Sequence, residues 1–143
     1  MRCVVDASVA VAWLLPAHRS EAVQRFWADA ITNDWEMIVP AQFYAESASA
    51  VRLRVARRQI DVSEGDAIFD DLIALPVVER APRGLLQRAW ALAKRYSHGR
   101  IYDAQYLALA EMERCELWTL DRRLVRSVQP HLQWVHAVDE EYA

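Results

Sequence analysis

The sequence predicts a single α/β domain in which helices cover both faces of a parallel sheet. Short apolar runs of strand length alternate with longer helical patterns along the whole chain, and such alternation is typical of parallel sheets. The length of 143 residues suits one domain. Hydrophobic residues make up 54% of the chain, above the usual share of about 45–50%, which excludes disorder over most of its length.

The first 40 residues are predicted to form two strands and two helices. A β-branched run ends at Asp6, as in a buried strand. Pro16 stops the short helix that follows, and Pro40 closes the second strand. The second helix has its apolar residues on one face. In chain order these elements are strand 3–5, helix 8–15, helix 20–31 and strand 37–39.

Two helices and a short strand are predicted in the middle of the chain. A long helix is expected over 41–58. Ser63 and Asp66 have the spacing of a capping box and predict the start of the next helix. A weak strand follows at 77–78. The apolar positions of the second helix are Ile68, Phe69, Leu72 and Leu75.

The last part of the chain is predicted to add three helices and two strands. Gly99 is placed to end the first of these helices. Its inward residues are Leu85, Leu86, Ala89, Leu92, Ala93 and Tyr96. In order the elements are helix 84–97, helix 101–115, strand 117–120, helix 122–128 and strand 134–136.

Several protein classes are excluded by the sequence. The longest apolar stretch, 9–15, is far shorter than the roughly 20 residues of a membrane span, and the N-terminus does not read as a signal peptide. We therefore expect a cytoplasmic protein without membrane contact. Cys3 and Cys115 lack the spacing of a disulfide framework or a zinc site. The four histidines lack zinc-enzyme spacing.

Four acidic residues form the candidate site. Ligands of parallel α/β sheets bind beyond the carboxyl ends of the strands, where Asp6 and Asp121 end two predicted strands. Glu46 and Asp103 lie in helical patterns among small and apolar neighbours. Each acid also has a structural alternative: Asp6 or Asp121 as a helix cap, Asp103 at a helix dipole, and Glu46 as an exposed helix residue.

Four carboxylates that converge without a basic partner raise each other's pKa or require a cation. Hard oxygen ligands select Mg²⁺ or Mn²⁺. Two such ions, about 3.5–4 Å apart, can stabilise the attacking and leaving oxygens of phosphodiester hydrolysis. The acids therefore indicate metal-assisted phosphoryl transfer to water.

The residues that carry these acids resemble the PIN domain family, and most closely its VapC-type ribonuclease toxins of prokaryotic toxin–antitoxin pairs. The resemblance covers nearly the whole chain, including its length and element order. The Asp-Ala-Ser motif after the first strand and the run that begins with Tyr-Asp-Ala are fairly specific to this family. The matching segments are Val4–Ser8, Pro40 with Glu46, Tyr102–Ala110 and Thr119–Leu124.

This resemblance implies a three-layer α/β/α domain with a parallel five-stranded sheet, Mg²⁺-dependent endoribonuclease activity and a small antitoxin partner. Its acidic quartet corresponds to Asp6, Glu46, Asp103 and Asp121, all candidate metal ligands, with Asp6 and Asp103 the most direct. Ser8 and Thr119 correspond to supporting polar residues. Ser49 departs from the family, which often has Asn there, and this puts the positioning of metal or substrate in question.

Several arginines are candidates for contact with RNA. Arg122 and Arg123, directly after Asp121, are the best placed. A second group of arginines lies on the long helix: Arg52, Arg54, Arg57 and Arg58. These side chains could bind the phosphates of an RNA backbone, or they could be the solvated cations that are favourable at the end of a helix. Trp118 lies in an apolar pattern and is expected in the core.

Apolar residues over 9–15 and 43–55 exceed what one small core obviously needs, so we expect a homodimer, or an antitoxin helix in an apolar groove.

Three alternatives to a toxin remain open. A housekeeping RNA-processing nuclease would share the fold and the acids. A haloacid-dehalogenase-like phosphatase also begins with a strand ending in Asp, but it requires a second Asp where Ser8 stands. A non-catalytic RNA-binding module would retain only the fold.

Overall fold

The centre of the computed structural model, which describes residues 1–140 and 142, is a parallel five-stranded sheet. Its strand order is β3-β2-β1-β4-β5, and all four neighbouring pairs are parallel. Cys3, Val4 and Val5 of the central strand are fully buried, as their continuous apolar run predicts. The strands are β1 (Arg2–Val5), β2 (Glu36–Val39), β3 (Val77–Glu79), β4 (Glu116–Thr119) and β5 (Val135–Ala137). Glu141 of the acidic C-terminal run lies outside the described residues.

Helices pack around this sheet to give the three-layer α/β/α architecture. They are α1 (Ala7–Leu14), α2 (Glu21–Thr32), α3 (Gln42–Ala56), α4 (Val62–Ile73), α5 (Leu85–Arg95), α6 (Ile101–Glu113) and α7 (Arg122–Val128). Helix α1 packs against α2, α3 and α4, whereas α5 packs against α6, which contacts β1 and β4. No helix in the described part of the chain is long and apolar enough to cross a membrane.

The predicted order of strands and helices is confirmed, but the predicted capping box of α4 is wrong. The N-cap is Asp61, whose Oδ1 accepts a hydrogen bond of 2.8 Å from the Glu64 N–H. The Ser63 hydroxyl donates to the same oxygen at 2.9 Å. The N-cap of α4 therefore lies two residues before the expected one, because Asp also satisfies a free N–H of the first turn.

The predicted end of α5 at Gly99 is also wrong. Helix α5 ends at Arg95, and the left-handed residue after it is Ser97, with φ of 56°. The His98 N–H then donates to the Ala93 carbonyl at 2.8 Å. This bond is the 6→1 hydrogen bond of a Schellman motif. The chain therefore leaves the helix before it reaches Gly99.

Three apolar residues predicted to face inward are exposed. Phe69 of α4 is 46% exposed, Leu86 of α5 is 59% exposed and Ile31 of α2 is 58% exposed. Each directly follows a buried residue, from which the helix rotates it by about 100°, and this rotation carries these three side chains to the solvent side of their helices. Trp118, expected in the core, is partly exposed.

The apolar excess expected over 9–15 and 43–55 is largely used inside the chain. Val9, Leu14, Phe43 and Val51 are all buried, whereas Leu53 is 44% exposed. These two segments therefore leave little exposed apolar surface for contact between two copies of the chain.

Candidate active site

Asp6 lies at the carboxyl end of β1, and two hydroxyl groups hold its side chain. Ser8 Oγ donates to Asp6 Oδ2 at 2.6 Å, and Thr119 Oγ1 donates to the same oxygen at 2.7 Å. The residue is 8% exposed. Asp6 occupies the N-cap position of α1, but its side chain forms no capping bond there, so capping does not account for the carboxylate.

The same two hydroxyl groups connect the ends of β1 and β4, which are neighbours in the sheet. Ser8 Oγ accepts from the Leu120 N–H at 3.0 Å, and Thr119 Oγ1 accepts from the Asp121 N–H at 3.0 Å. Thr119 is fully buried. Each hydroxyl therefore donates to the Asp6 carboxylate and accepts from the backbone that carries Asp121, which links the two acids.

Asp121 combines a capping role with a place at the site. Its Oδ1 accepts hydrogen bonds from the N–H groups of Arg123 at 2.9 Å and Leu124 at 3.1 Å. The predicted role as N-cap of α7 is therefore confirmed. Among residues 1–140 and 142, Oδ2 accepts no hydrogen bond from protein, so one oxygen of this side chain is available to a ligand.

Glu46 projects from α3 and is held by a residue to which the sequence assigned no role. It is half-buried rather than exposed, which argues against a purely solvated helix residue. The Tyr106 hydroxyl, on a side chain only 1% exposed, donates to Glu46 Oε1 at 3.3 Å. Tyr106 follows Asp103 by three positions on α6 and therefore shares its face; this spacing is the signal that could have identified it.

The charges of the four acids act on one another. Burial raises the pKa of Asp6, against the hydrogen bonds from Ser8 and Thr119, and the charge of Asp103 raises it further. Burial also raises the pKa of Glu46, with contributions from the charges of Asp6 and Asp103. The pKa of Asp103 is raised by burial and by the charge of Asp121. These couplings place all four carboxylates in one electrostatic cluster.

The charges of His98 and Arg100 lower the pKa of Asp103 in part, against burial and the charge of Asp121, but they form no ion pair with it. Among the described residues, none of the four acids forms an ion pair. In the described part of the chain, no three acidic, histidine or cysteine side chains are placed so that they could hold a metal ion by themselves. Carboxylate oxygens do suit a hard divalent cation that keeps several waters and is also held by substrate phosphate oxygens.

The predicted basic residues lie at different distances from the acids. Arg54 lines a cavity of about 420 Å³ together with Ser8 and Glu46, whereas Arg52, Arg57 and Arg58 are exposed. Arg122 and Arg123 are exposed at the start of α7. Ser49, the departure from the family, is exposed on α3, so its hydroxyl is not part of the buried hydrogen bonds around Asp6.

Comparison with known proteins agrees with this arrangement. The family profile described as the PIN domain matches residues 3–128. This chain belongs to the PIN domain family. The PIN domain here is 34% identical over 121 residues to Ribonuclease VapC9 of Mycobacterium tuberculosis, covering 85% of this chain and 87% of the relative. It is 34% identical over 129 residues to Ribonuclease VapC3 of Pyrobaculum aerophilum, covering 87% and 92%.

Solved structures confirm the PIN fold. PAE2754 from Pyrobaculum aerophilum superposes with a TM-score of 0.66 at 20% identity, over 89% of this chain and 79% of the other. Mycobacterium tuberculosis VapC20, described as a sarcin–ricin loop cleaving toxin, gives a TM-score of 0.62 at 16% identity, over 87% and 94%. The predicted parallel five-stranded PIN domain is therefore confirmed, and the phosphatase alternative is wrong.

Proposed function

We propose that this PIN domain protein is a metal-dependent endoribonuclease that hydrolyses RNA phosphodiester bonds as the toxin of a VapBC-type toxin–antitoxin pair. One observation carries the proposal: four carboxylates act on one another electrostatically without an ion pair to any described residue, and Asp6 and Asp121 among them follow neighbouring strands at the carboxyl edge of the sheet. The chain's relatives are ribonucleases of the VapC type, which supports RNA as the substrate.

The proposed cation is Mg²⁺, with Mn²⁺ as a substitute. Asp6 and Asp103 would be its most direct ligands, and Glu46 and Asp121 would complete the acidic set. When bound, a divalent ion supplies positive charge that stabilises the attacking and leaving oxygens of phosphodiester hydrolysis. The oxygen donors present suit these hard cations.

The protein's own side chains have distinct roles in this proposal. Ser8 and Thr119 donate to one oxygen of Asp6, which orients the other oxygen and favours the ionised form. Glu46, whose raised pKa brings it nearer to neutral pH, would accept a proton from the attacking water. Tyr106 would hold Glu46 through its hydroxyl.

Cleavage of a structured RNA pool tests this proposal. The wild-type protein should cleave RNA with Mg²⁺ or Mn²⁺ and not with EDTA. Asp103→Asn should lose at least about a hundredfold in rate, within the range that a positioned catalytic carboxylate contributes. Asp66→Asn makes the same chemical change at an exposed position of α4 and should cleave like the wild type. Equal cleavage by Asp103→Asn would contradict the proposed role of this acid.

A housekeeping RNA-processing nuclease and a non-catalytic RNA-binding module are the alternatives. The first would cleave RNA without inhibition by an antitoxin. The second would bind RNA and leave it intact with either metal. Co-expression with any small protein encoded next to this gene separates the toxin from the housekeeping enzyme, because only a toxin should be inhibited by such a partner.

A homodimer and a cytoplasmic location also belong to this proposal. The large apolar side chains that remain exposed include Phe69 and Ile73 of α4 and Leu86 and Trp90 of α5, and these are candidates for contact between two copies. Light scattering of the purified protein at several concentrations should give the mass of a dimer. A monomer at all concentrations would contradict the homodimer.

A further inference from the structure

A second cavity lies beside β4 and the edge strand β5, away from the four acids. Its volume is about 450 Å³. Aromatic residues of the sheet and C-terminal segment meet polar side chains of α7 in its lining. The lining residues on which the inference depends are Trp118, Arg122, Arg126, Gln129, His136 and Tyr142.

An aromatic stack forms one wall of this cavity. Trp118 of β4 and His136 of β5 are partners in the parallel register. Their rings stack with centroids 4.7 Å apart and planes 30° apart. Phe26, at 5.7 Å, and Tyr142, at 5.3 Å, also pack against the Trp118 ring. The indole is therefore fixed from several sides, and its Nε1 has no hydrogen-bond partner among the described residues.

Arg122 and Arg126 of α7, with Gln129 directly after this helix, also line the cavity. Arg122 and Arg126 are four positions apart and therefore share a helix face. Arg126 makes no ion pair with any residue in 1–140 or 142. Arg122 lies 3.8 Å from Asp139, with 62% of its side chain exposed, a solvent-screened contact from which a phosphate could recruit it. Glu116 lies 3.4 Å from His136.

Shared lining residues connect this cavity to Glu46, one of the four acids. The cavity beside Ser8 and Glu46 includes Leu120 in its lining. Leu120 also lines an intermediate depression of about 580 Å³ that reaches Arg122 and Asp139. Those two residues line the aromatic cavity in turn. A single nucleic-acid strand could therefore follow one surface path from Glu46 to the Trp118–His136 stack.

From this arrangement we infer that the cavity between α7 and the Trp118–His136 stack binds one nucleotide of the RNA substrate, at a distance from the nucleotide that is cleaved. The inference rests on the proposed ribonuclease function and names a contact of its substrate. The base lies against the aromatic wall, Gln129 faces its polar edge, and Arg122 and Arg126 bind its phosphate. Stacking accepts any base, because every base has a π-face.

A nucleotide suits this cavity better than a peptide segment of a partner protein. Two arginines on one helix face provide paired donors of the kind that bind phosphate oxygens. A rigid aromatic wall beside them matches the alternation of planar base and charged phosphate in single-stranded RNA. A peptide would offer both features only with an aromatic and an acidic side chain at matching positions.

Nuclear magnetic resonance of the tryptophan indole groups tests the inference without metal or catalysis. Protein labelled with ¹⁵N at tryptophan is titrated with AMP in EDTA, and the Trp118 and Trp90 signals are assigned with Trp118→Phe and Trp90→Phe. AMP should shift the Trp118 signal and leave that of Trp90, which is 66% exposed on α5. Ribose 5-phosphate and inorganic phosphate should give a smaller shift at the same concentration.

Substitution of one arginine provides the matched comparison. Arg126→Ala should weaken AMP binding about tenfold, the loss expected for one charge-assisted hydrogen bond. It should raise the KM for RNA by a similar factor with kcat unchanged, because a uniform binding contact is lost. Arg83→Ala removes the same charge from an exposed loop before α5 and should change neither quantity.

Several results would overturn the inference. One is a Trp118 signal that does not move when AMP is added. Another is a shift with inorganic phosphate alone that equals the shift with AMP. A third is a shift produced only by an antitoxin peptide. An unchanged KM in Arg126→Ala would also overturn it. In each case, cleavage that still requires Asp103 would leave the proposed ribonuclease function standing, so the two failures are distinguishable.

Discussion

Replacing Thr119 by valine should destabilise the protein and impair RNA cleavage together. The substitution keeps the shape of the side chain and replaces only its hydroxyl group by a methyl group. That hydroxyl donates to Asp6 Oδ2 at 2.7 Å and accepts from the Asp121 N–H at 3.0 Å. Because Thr119 is fully buried, water has little access to replace either bond.

The expected loss follows from these two hydrogen bonds. A bond to a charged group contributes about 1.5–3 kcal/mol, and an unsatisfied buried N–H costs about 1–3 kcal/mol. Burial of the additional apolar methyl group offsets about 0.8 kcal/mol. The free energy of unfolding should therefore fall by about 3 kcal/mol. For a domain of this size, each kcal/mol lowers the Tm by roughly 2–4 °C.

Urea denaturation in EDTA measures this loss, with Thr119→Ser as the control that keeps the hydroxyl group. The serine variant should lose less than the valine variant, although it also lacks a buried methyl group. RNA cleavage should fall at least about tenfold in Thr119→Val, because Asp6 loses one of its two hydroxyl donors and its pKa rises further. A free energy of unfolding within about 0.5 kcal/mol of the wild type would refute the reasoning, since that is the usual range for substitutions away from structural features.

Three further predictions concern caps, packing and pH. Asp61→Ala should lower the free energy of unfolding by about 1 kcal/mol in urea denaturation, because α4 loses its N-cap bond. Gly65→Ala should cost about 1–3 kcal/mol in the same measurement, because a Cβ at Gly65 would lie 2.5 Å from Val55 Cγ2 between α3 and α4. In EDTA at neutral pH, Asp103→Asn should have a higher Tm than the wild type. Burial raises the pKa of Asp103, so the folded wild type binds a proton at this carboxylate more tightly than the unfolded chain does. Lowering the pH from about 8 to about 5 should therefore stabilise the wild type relative to this variant and reduce the difference in Tm.

Each of these predictions has a control. Asp66→Ala removes the acid of the wrongly predicted capping box and should change stability by less than about 0.5 kcal/mol. Gly99→Ala places a methyl group in open space and should be neutral or slightly stabilising. A difference in Tm between Asp103→Asn and the wild type that grows as the pH falls would contradict the sign of the proposed pKa shift.

The strand and helix pattern could be predicted because each element carries a local signal. Three consecutive apolar residues mark β1 as buried on both faces, and Pro16 marks the end of α1. The precise helix ends could not be predicted, because several residues could serve each end. Asp61 and Ser63 are both good caps, and hydrogen bonds of the folded chain select Asp61. Likewise, Ser97 takes a left-handed conformation that the sequence assigned to Gly99.

The part of the candidate site that lies at strand ends could be predicted from the sequence. Asp6 and Asp121 follow neighbouring strands, so the topology of a parallel sheet brings them to one edge. The hydrogen bond between Tyr106 and Glu46 joins α6 to α3, which are distant in sequence, and it has no local signal at Glu46. Trp118 was expected in the core because its neighbours are apolar, yet the position of β5 at the sheet edge leaves it partly exposed.

Mn²⁺ binding, measured by electron paramagnetic resonance of the free ion, tests most directly whether the acidic cluster is a metal site. The wild-type protein should bind Mn²⁺, and Mg²⁺ should displace it. Asp6→Asn should weaken this binding at least about tenfold, a loss of about 1.4 kcal/mol or more, whereas Asp66→Asn should bind like the wild type. Equal Mn²⁺ affinity in Asp6→Asn and the wild type would contradict the assignment of this cluster as the metal centre.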